Sequence, residues 1–307
     1  MMYLILIAGF VLLIKGADYF VEGSSAAAKI LKVPPLIIGL TVVSMGTSLP
    51  EASVSISASL AGKNELAVSN AVGSNIFNLM IVCGVCAAIC PLAINKDTLK
   101  RDFPISIAAV GLLMGLGALG FSVGHLDGVI LLAVFAGFLY LMVASAKKAR
   151  QEAEDEYKSM PVWKLLLFVI GGAAAIVVGG KMVVSGASDI ASAFGMTENL
   201  IGMTIVAFGT SLPELVTSVV AARKKEVDMA VGNVVGSNIF NILFVLGAAA
   251  AISPIVFSME NIIDTAVLIV MTAIVMAMCF KKKKLSRLHG LIMIGLYAVY
   301  TTYIFMR

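Results

Sequence analysis

A shift of 163 residues lays the second half of this chain on the first without a gap from Gly16 to Leu92. "GLTVVSMGTSLPEASVS" (39–55) falls on "GMTIVAFGTSLPELVTS" (202–218), and "SNAVGSNIFNLMIVCG" (69–84) falls on "GNVVGSNIFNILFVLG" (232–247). The shared cores are "GTSLPE" and "VGSNIFN", and the match continues to "AAICPL" over "AAISPI". Shared hydrophobicity alone does not reproduce polar residues in register over such a length. Whatever this chain folds into is built twice from one plan.

The plan suits a membrane. Of 307 residues 60% are hydrophobic and 13% charged, a balance rare in water-soluble domains of this size. Apolar stretches of the length that spans a bilayer, about 17 to 25 residues, recur at 2–21, 34–60, 65–90, 103–123, 126–145, 161–183, 197–222, 228–252, 261–280 and 288–305. The first is read as a span and not as a cleaved signal, because no basic segment precedes it and it has a counterpart in the second copy. The predicted fold is an all-α integral membrane protein with ten transmembrane helices. They form two five-helix repeats, 1–145 and 161–307, joined by a linker loop at 146–160. Since five is odd, the second copy enters the membrane from the opposite face, and the repeats are inverted, as is common in secondary transporters.

Basic residues test the threading. Lys29, Lys32, Lys96, Lys100, Arg101, Lys147, Lys148, Arg150, Lys158, Arg223, Lys224, Lys225, Lys281, Lys282, Lys283, Lys284 and Arg287 all fall on one side of the ten-span path. Only Lys63 and Arg307 fall on the other, and Lys15, Lys164 and Lys181 lie within spans. The bias marks the cytoplasmic side and supports the count, because one span more or fewer would divide the basic loops between both faces. The loop 146–160 is then cytoplasmic, both termini lie outside, and the expected location is the cell inner (plasma) membrane. The run "KKKKLSR" (281–287) reads as a positive-inside anchor at the lipid surface.

Within this apolar frame the repeated motifs are anomalous. Pro50 has no N–H and its ring displaces the carbonyl four residues back, so the helix is expected to open near Gly46 and release main-chain oxygens. Glu51 follows, and an acid at the helix centre costs about 2.5–3.5 kcal/mol on insertion scales. Pro213 and Glu214 repeat both liabilities. Thr47 and Ser48 lie four and three residues before Glu51, and Thr210 and Ser211 stand likewise before Glu214, so these hydroxyls share a helical face with each carboxylate. Ser74 and Asn78 are four apart, as are Ser237 and Asn241. Two carboxylates, hydroxyls, two amide oxygens and freed carbonyls make an oxygen-only set, which suits hard cations such as calcium or sodium. Intramembrane acids are functional by default, and two copies in an inverted repeat are expected to meet at one shared ion site.

Other features read as structure. Cys83, Cys86 and Cys90 in "CGVCAAIC" are taken as small buried residues, and His125 and His289 as interfacial. Asp18, Glu22 and Asp189 are expected to snorkel or pair, as Lys15 beside Asp18.

"GTSLPE" with "VGSNIFN", twice and in opposite topology, resembles the two alpha-repeats of the cation/calcium exchanger superfamily, in particular its prokaryotic sodium/calcium exchanger branch. The resemblance covers essentially the whole chain. It implies a secondary antiporter exchanging sodium for calcium by alternating access, with a core of helices 2, 3, 7 and 8 and flanking helices 1 and 6 that slide. It implies Glu51 and Glu214 as principal metal ligands, with oxygens from Thr47, Ser48, Ser74, Thr210, Ser211 and Ser237 and main-chain carbonyls from Ser44 and Ala207. Asn78 and Asn241 stand where members often carry aspartate, a departure that weakens any case for potassium co-transport. The partners implied are calcium and sodium ions and membrane lipid. No nucleic acid, cofactor or catalytic residue is expected, and the unit is expected to work as a monomer. A calcium/proton exchanger of the same fold and a cation channel are the alternatives, while no serine/histidine or paired-aspartate arrangement points to an enzyme.

Overall fold

The computed structural model describes residues 2–62, 65–151, 160–197, 201, 205 and 207–306. Helix α1 runs Met2–Leu31, α2 Pro35–Thr47 and α3 Leu49–Leu60. Helix α4 (Leu66–Ile89), α5 (Thr98–Ala118) and α6 (His125–Arg150) complete the first half. The second half holds α7 (Val162–Ala193), α8 (Leu212–Arg223), α9 (Val227–Ile252), α10 (Met259–Phe280) and α11 (Arg287–Met306). Among the described residues eight helices are long and apolar enough to cross a membrane, and the bent pair α2–α3 makes a ninth if counted as one span. The span expected at 197–222 lies partly outside the described residues, as do Lys63, Lys158, Arg307 and most of the loop 146–160.

Helix α1 continues ten residues beyond the expected 2–21 span, since nothing in "VEGSSAAAK" interrupts helical backbone. It stops at Lys32, whose φ of 56° is left-handed. There the Lys32 and Val33 amides turn back to the Lys29 and Ala28 carbonyls at 3.1 and 2.9 Å, the bonding of a left-handed helix cap, and Pro34 bars further helix. The matched position after α7 is Gly195, with φ 84° and the same pair of returning bonds, from its own amide to Ser192 and from Met196 to Ala191.

Inversion is visible in two short antiparallel ribbons. Strand β1 (Leu92–Ala93) pairs with β4 (Lys284–Leu285), and β2 (Ser122–Val123) pairs with β3 (Ile255–Val256). β1 and β2 sit at opposite ends of α5, and β3 and β4 at opposite ends of α10. Each ribbon therefore ties a loop of one half to a loop of the other, one at each end of the bundle.

Helices α4 and α9 form the centre, with 72% and 78% of their most apolar windows buried against at most 39% in the other long helices. Around them α2 lies against α9, α10 against α5, α6 against the end of α9, and α11 against the end of α4. Apolar side chains on the outer helices, such as Leu126, Tyr140, Val270 and Leu288, remain exposed, as a lipid-facing surface requires.

Helices α1 and α7 form the most extensive pair in the molecule. Their contact is a seam of glycines in matched positions: Gly9, Gly16 and Gly23 against Gly172, Gly179 and Gly186. A Cβ on Gly179 would lie 2.6 Å from the Leu13 nitrogen, and one on Gly172 2.8 Å from the Phe20 nitrogen. Backbones this close leave no room for side chains, the small-residue packing typical of membrane helices. Asp18 of α1 meets Lys224, at 2.7 Å from the turn after α8, in place of the expected Lys15; Glu22 is 3.8 Å from the same ammonium. The reason is geometric, for Lys15 points to the exposed side of α1 while the α8–α9 turn reaches Asp18 from the core side.

Replacing Gly179 by leucine should separate α1 from α7. Forced overpacking of this kind costs about 1–3 kcal/mol or more, and the expected result is a lowered melting temperature of the detergent-purified protein, with Gly137→Leu, which has open space around it, as the unaffected comparison.

Candidate ion-binding site

The break in the first motif falls at Ser48, two residues later than Gly46. Ser48 has φ −85° and ψ 11°, and α2 and α3 meet there at 50°. Proline explains the position: Pro50 is tolerated as the second residue of a new helix, where its missing N–H has no intrahelical partner to lose. The second motif repeats this at Ser211, with φ −92° and ψ 4°, ahead of α8. Each glutamate thereby becomes the third residue of a helix. Its carboxylate sits where the helix dipole and unpaired amides favour negative charge.

Glu51 and Glu214 are both fully buried, and each is served by the other repeat. Ser48 Oγ donates to Glu214 Oε1 at 2.7 Å, and Ser211 Oγ donates to Glu51 Oε1 at 3.2 Å. Ser237 Oγ lies 3.5 Å from both Glu214 Oε1 and the Ser44 carbonyl, and the Ser74 hydroxyl is directed at Glu51. Oε2 of each glutamate is buried without a protein partner. The motifs, 163 residues apart in sequence, are thus interlocked at one place.

Thr47 is buried and donates to Asn233 Oδ1 at 3.1 Å, with the Ser44 carbonyl at 3.3 Å. That carbonyl also accepts the Ser48 amide at 3.0 Å, so it still takes part in helical bonding. Asn78 and Asn241 are fully buried and open matched π-helical turns, Asn78–Val82 and Asn241–Val245, a local widening found often at functional sites. Thr210 is half-buried in the turn before Ser211, and Ala207 opens the short helical turn Ala207–Gly209.

Four further asparagines escaped the sequence reading. Asn70 Nδ2 donates to Ser55 Oγ (2.9 Å) and to the Glu51 carbonyl (3.3 Å), and Asn233 Nδ2 donates to Ser218 Oγ (2.9 Å). These bonds clamp the helix that follows each break to its neighbour. Asn75 and Asn238 bridge α4 to α9. Their signal was present, since each pair is identical across the repeat, but neither pair shares a helical face with a glutamate by local spacing. Cys83 and Cys86 are buried free thiols, with Cys90 half-buried.

Buried acids held by exchanged hydroxyls at the interface of two inverted helical units place the molecule among multi-pass membrane transporters of cations. Comparison with known proteins narrows the class. Residues 1–144 and 164–306 match the model of the family "Sodium/calcium exchanger protein". The chain is 31% identical to the sodium/calcium exchanger MaX1 of Methanosarcina acetivorans in an alignment covering 99% of this chain and 98% of that one. It is 39% identical to the inner membrane protein YrbG of Escherichia coli, covering 81% and 79%. Its structure superposes on that of the sodium-calcium exchanger NCX_Mj soaked with sodium and strontium, with a TM-score of 0.87, 33% identity and coverage of 98% and 99%. The chain belongs to the sodium/calcium exchanger family.

Removing the Ser48 hydroxyl takes away a bond to a buried carboxylate, worth about 1.5–3 kcal/mol when one partner is charged. Ser48→Ala is expected to weaken calcium binding by roughly tenfold or more without unfolding the protein, and isothermal titration on purified protein, with circular dichroism alongside, measures both.

Proposed function

We propose that this family member exchanges sodium for calcium by alternating access, the two ions competing for one site centred on Glu51 and Glu214. The crossed pair of serine bonds carries the reading: each carboxylate is completed by the opposite repeat, so the charge that attracts a cation is concentrated where the halves join. Ser48, Ser74, Ser211, Ser237, Thr47, Thr210, Asn78 and Asn241 complete the oxygen set, with main-chain carbonyls of Ser44 and Ala207. Hard cations prefer such ligands. Two ionised glutamates carry a formal charge of minus two, which one calcium ion neutralises. Three sodium ions in its place would move net charge and make exchange voltage-dependent, whereas two would not.

The basic loops support an orientation with the linker 146–160 cytoplasmic and both termini outside, in the inner membrane, the location in the name of the Escherichia coli relative. The repeats then divide at 1–145 and 161–307. With sodium gradients directed inward, the chain exports calcium. It acts as a monomer in contact with lipid, performs no enzymatic step and uses no cofactor, calcium and sodium being cargo.

The test is calcium-45 uptake into proteoliposomes loaded with sodium and diluted into sodium-free buffer, beside proton-loaded and potassium-loaded vesicles. Uptake is expected only with internal sodium; uptake driven by protons alone would move the chain to calcium/proton exchange. Glu51→Gln and Glu214→Gln should each abolish uptake while the protein still purifies as a single species, and full exchange in either variant would defeat the assignment.

A further inference from the structure

Asn75 and Asn238 occupy matched positions in the two copies of "VGSNIFN". Each donates its side-chain amide to the main-chain carbonyl of the other, Asn75 Nδ2 to the Asn238 oxygen at 2.9 Å and Asn238 Nδ2 to the Asn75 oxygen at 3.2 Å. The two central helices are therefore clasped across the join of the repeats. Asn75 Oδ1 makes a third bond, accepting from Asn241 Nδ2 at 3.1 Å.

The direction of this chain of bonds is forced. A carbonyl oxygen only accepts, so Asn75 turns Nδ2 toward Asn238 and Oδ1 toward Asn241. Asn241 must meet that acceptor with Nδ2, which leaves its own Oδ1 facing away, buried and without a protein partner. The matched bond, from Asn78 Nδ2 to Asn238 Oδ1, is not made; those atoms and Asn78 Oδ1 are all buried without a protein partner. Two asparagines in the same sequence context thus differ, one amide being locked and the other free to present either end.

We propose that Asn75 is a positioning residue: it locks the Asn241 amide so that only an oxygen faces the cation, making Asn241 the pre-oriented ligand of the pair. A free amide can turn an N–H toward a cation and must be reoriented on binding; a locked one needs no such step. The inference rests on the proposed exchange at Glu51 and Glu214.

A double-mutant cycle in sodium-loaded proteoliposomes tests it, reading the half-saturating calcium concentration separately from the maximal rate. Asn75→Ala and Asn241→Ala are each expected to raise half-saturation by about five- to tenfold, the scale of one hydrogen bond, and the double variant to be no worse than Asn241→Ala alone. Asn75→Ala combined with Asn78→Ala should instead multiply the single effects. If Asn75→Ala fails to reach the membrane, Asn75→Thr, which draws the acceptor back from Asn241, carries the same expectation. Unchanged half-saturation with only a lower maximal rate would mean that the clasp is structural, and multiplying effects of Asn75 and Asn241 would mean that they act independently; either result overturns the proposal. Absence of sodium-driven uptake in the unmutated protein would instead defeat the exchange reading.

Discussion

The constraint on which this structure depends is the presence of two carboxylates inside a bundle made for lipid. An acid at such depth costs about 2.5–3.5 kcal/mol at the least and persists only where dipoles or hydrogen bonds replace water. Two devices supply them here. The chain breaks at Ser48 and Ser211, so that each glutamate begins a helix, and each receives a hydroxyl from the opposite repeat. Ser74 and Ser237 add a hydroxyl from within each glutamate's own repeat, but the shorter Ser48–Glu214 bond and the Ser211–Glu51 bond come from across the join. The duplication therefore supplies part of each glutamate's hydrogen bonding.

Much of the remaining architecture serves to hold the two halves in that register. The Asn70–Ser55 and Asn233–Ser218 bonds fix the helix after each break to the next helix. The Asn75–Asn238 clasp and the two ribbons join repeat to repeat at the centre and at both ends. The α1–α7 pair is different in kind. It is united by a smooth glycine seam, while its polar links to the core lie at the α8–α9 turn, through Lys224 with Asp18 and Ser25 with Glu226. An exposed ion pair such as Lys224–Asp18 contributes about 0–1 kcal/mol, and the Ser25 bond to the Glu226 carboxylate is part-buried, so these links are local whereas the glycine seam runs along the whole pair.

How far the sequence revealed this depended on range. Spans, duplication, inversion and the glutamates were legible because they follow from apolar length and identity in register. Hydroxyls near each glutamate were legible from helical spacing, but their actual targets were not: spacing pairs Ser48 with Glu51, and the fold pairs it with Glu214. The break was placed two residues early because proline constrains the residues before it without choosing which one bends. Lys224 replaced Lys15 as the partner of Asp18 because local proximity on a helix says nothing about a turn arriving from elsewhere. The Asn75–Asn238 clasp was overlooked because its partners lie 163 residues apart, at a distance no local pattern encodes; Asn70 and Asn233 reach serines 15 residues away on another helix, beyond the reach of helical spacing.

Identity across the repeat also conceals a difference. Asn78 and Asn241 are both preceded by "VGSNIF" and both open a π-turn, yet only Asn241 is bonded to the Asn75–Asn238 clasp. The inequality means that the two halves of the site do not offer the same atoms to an ion between them. A perfectly symmetric arrangement would present the same atoms toward both faces, and a cation at its centre would find no reason to prefer either. Alternating access moves one repeat or bundle against the other around a fixed site, so a state open to one face holds the two halves in different geometries. Symmetry in the sequence provides two equivalent sets of groups, and the broken symmetry of their hydrogen bonds is what makes one arrangement distinguishable from its inverse.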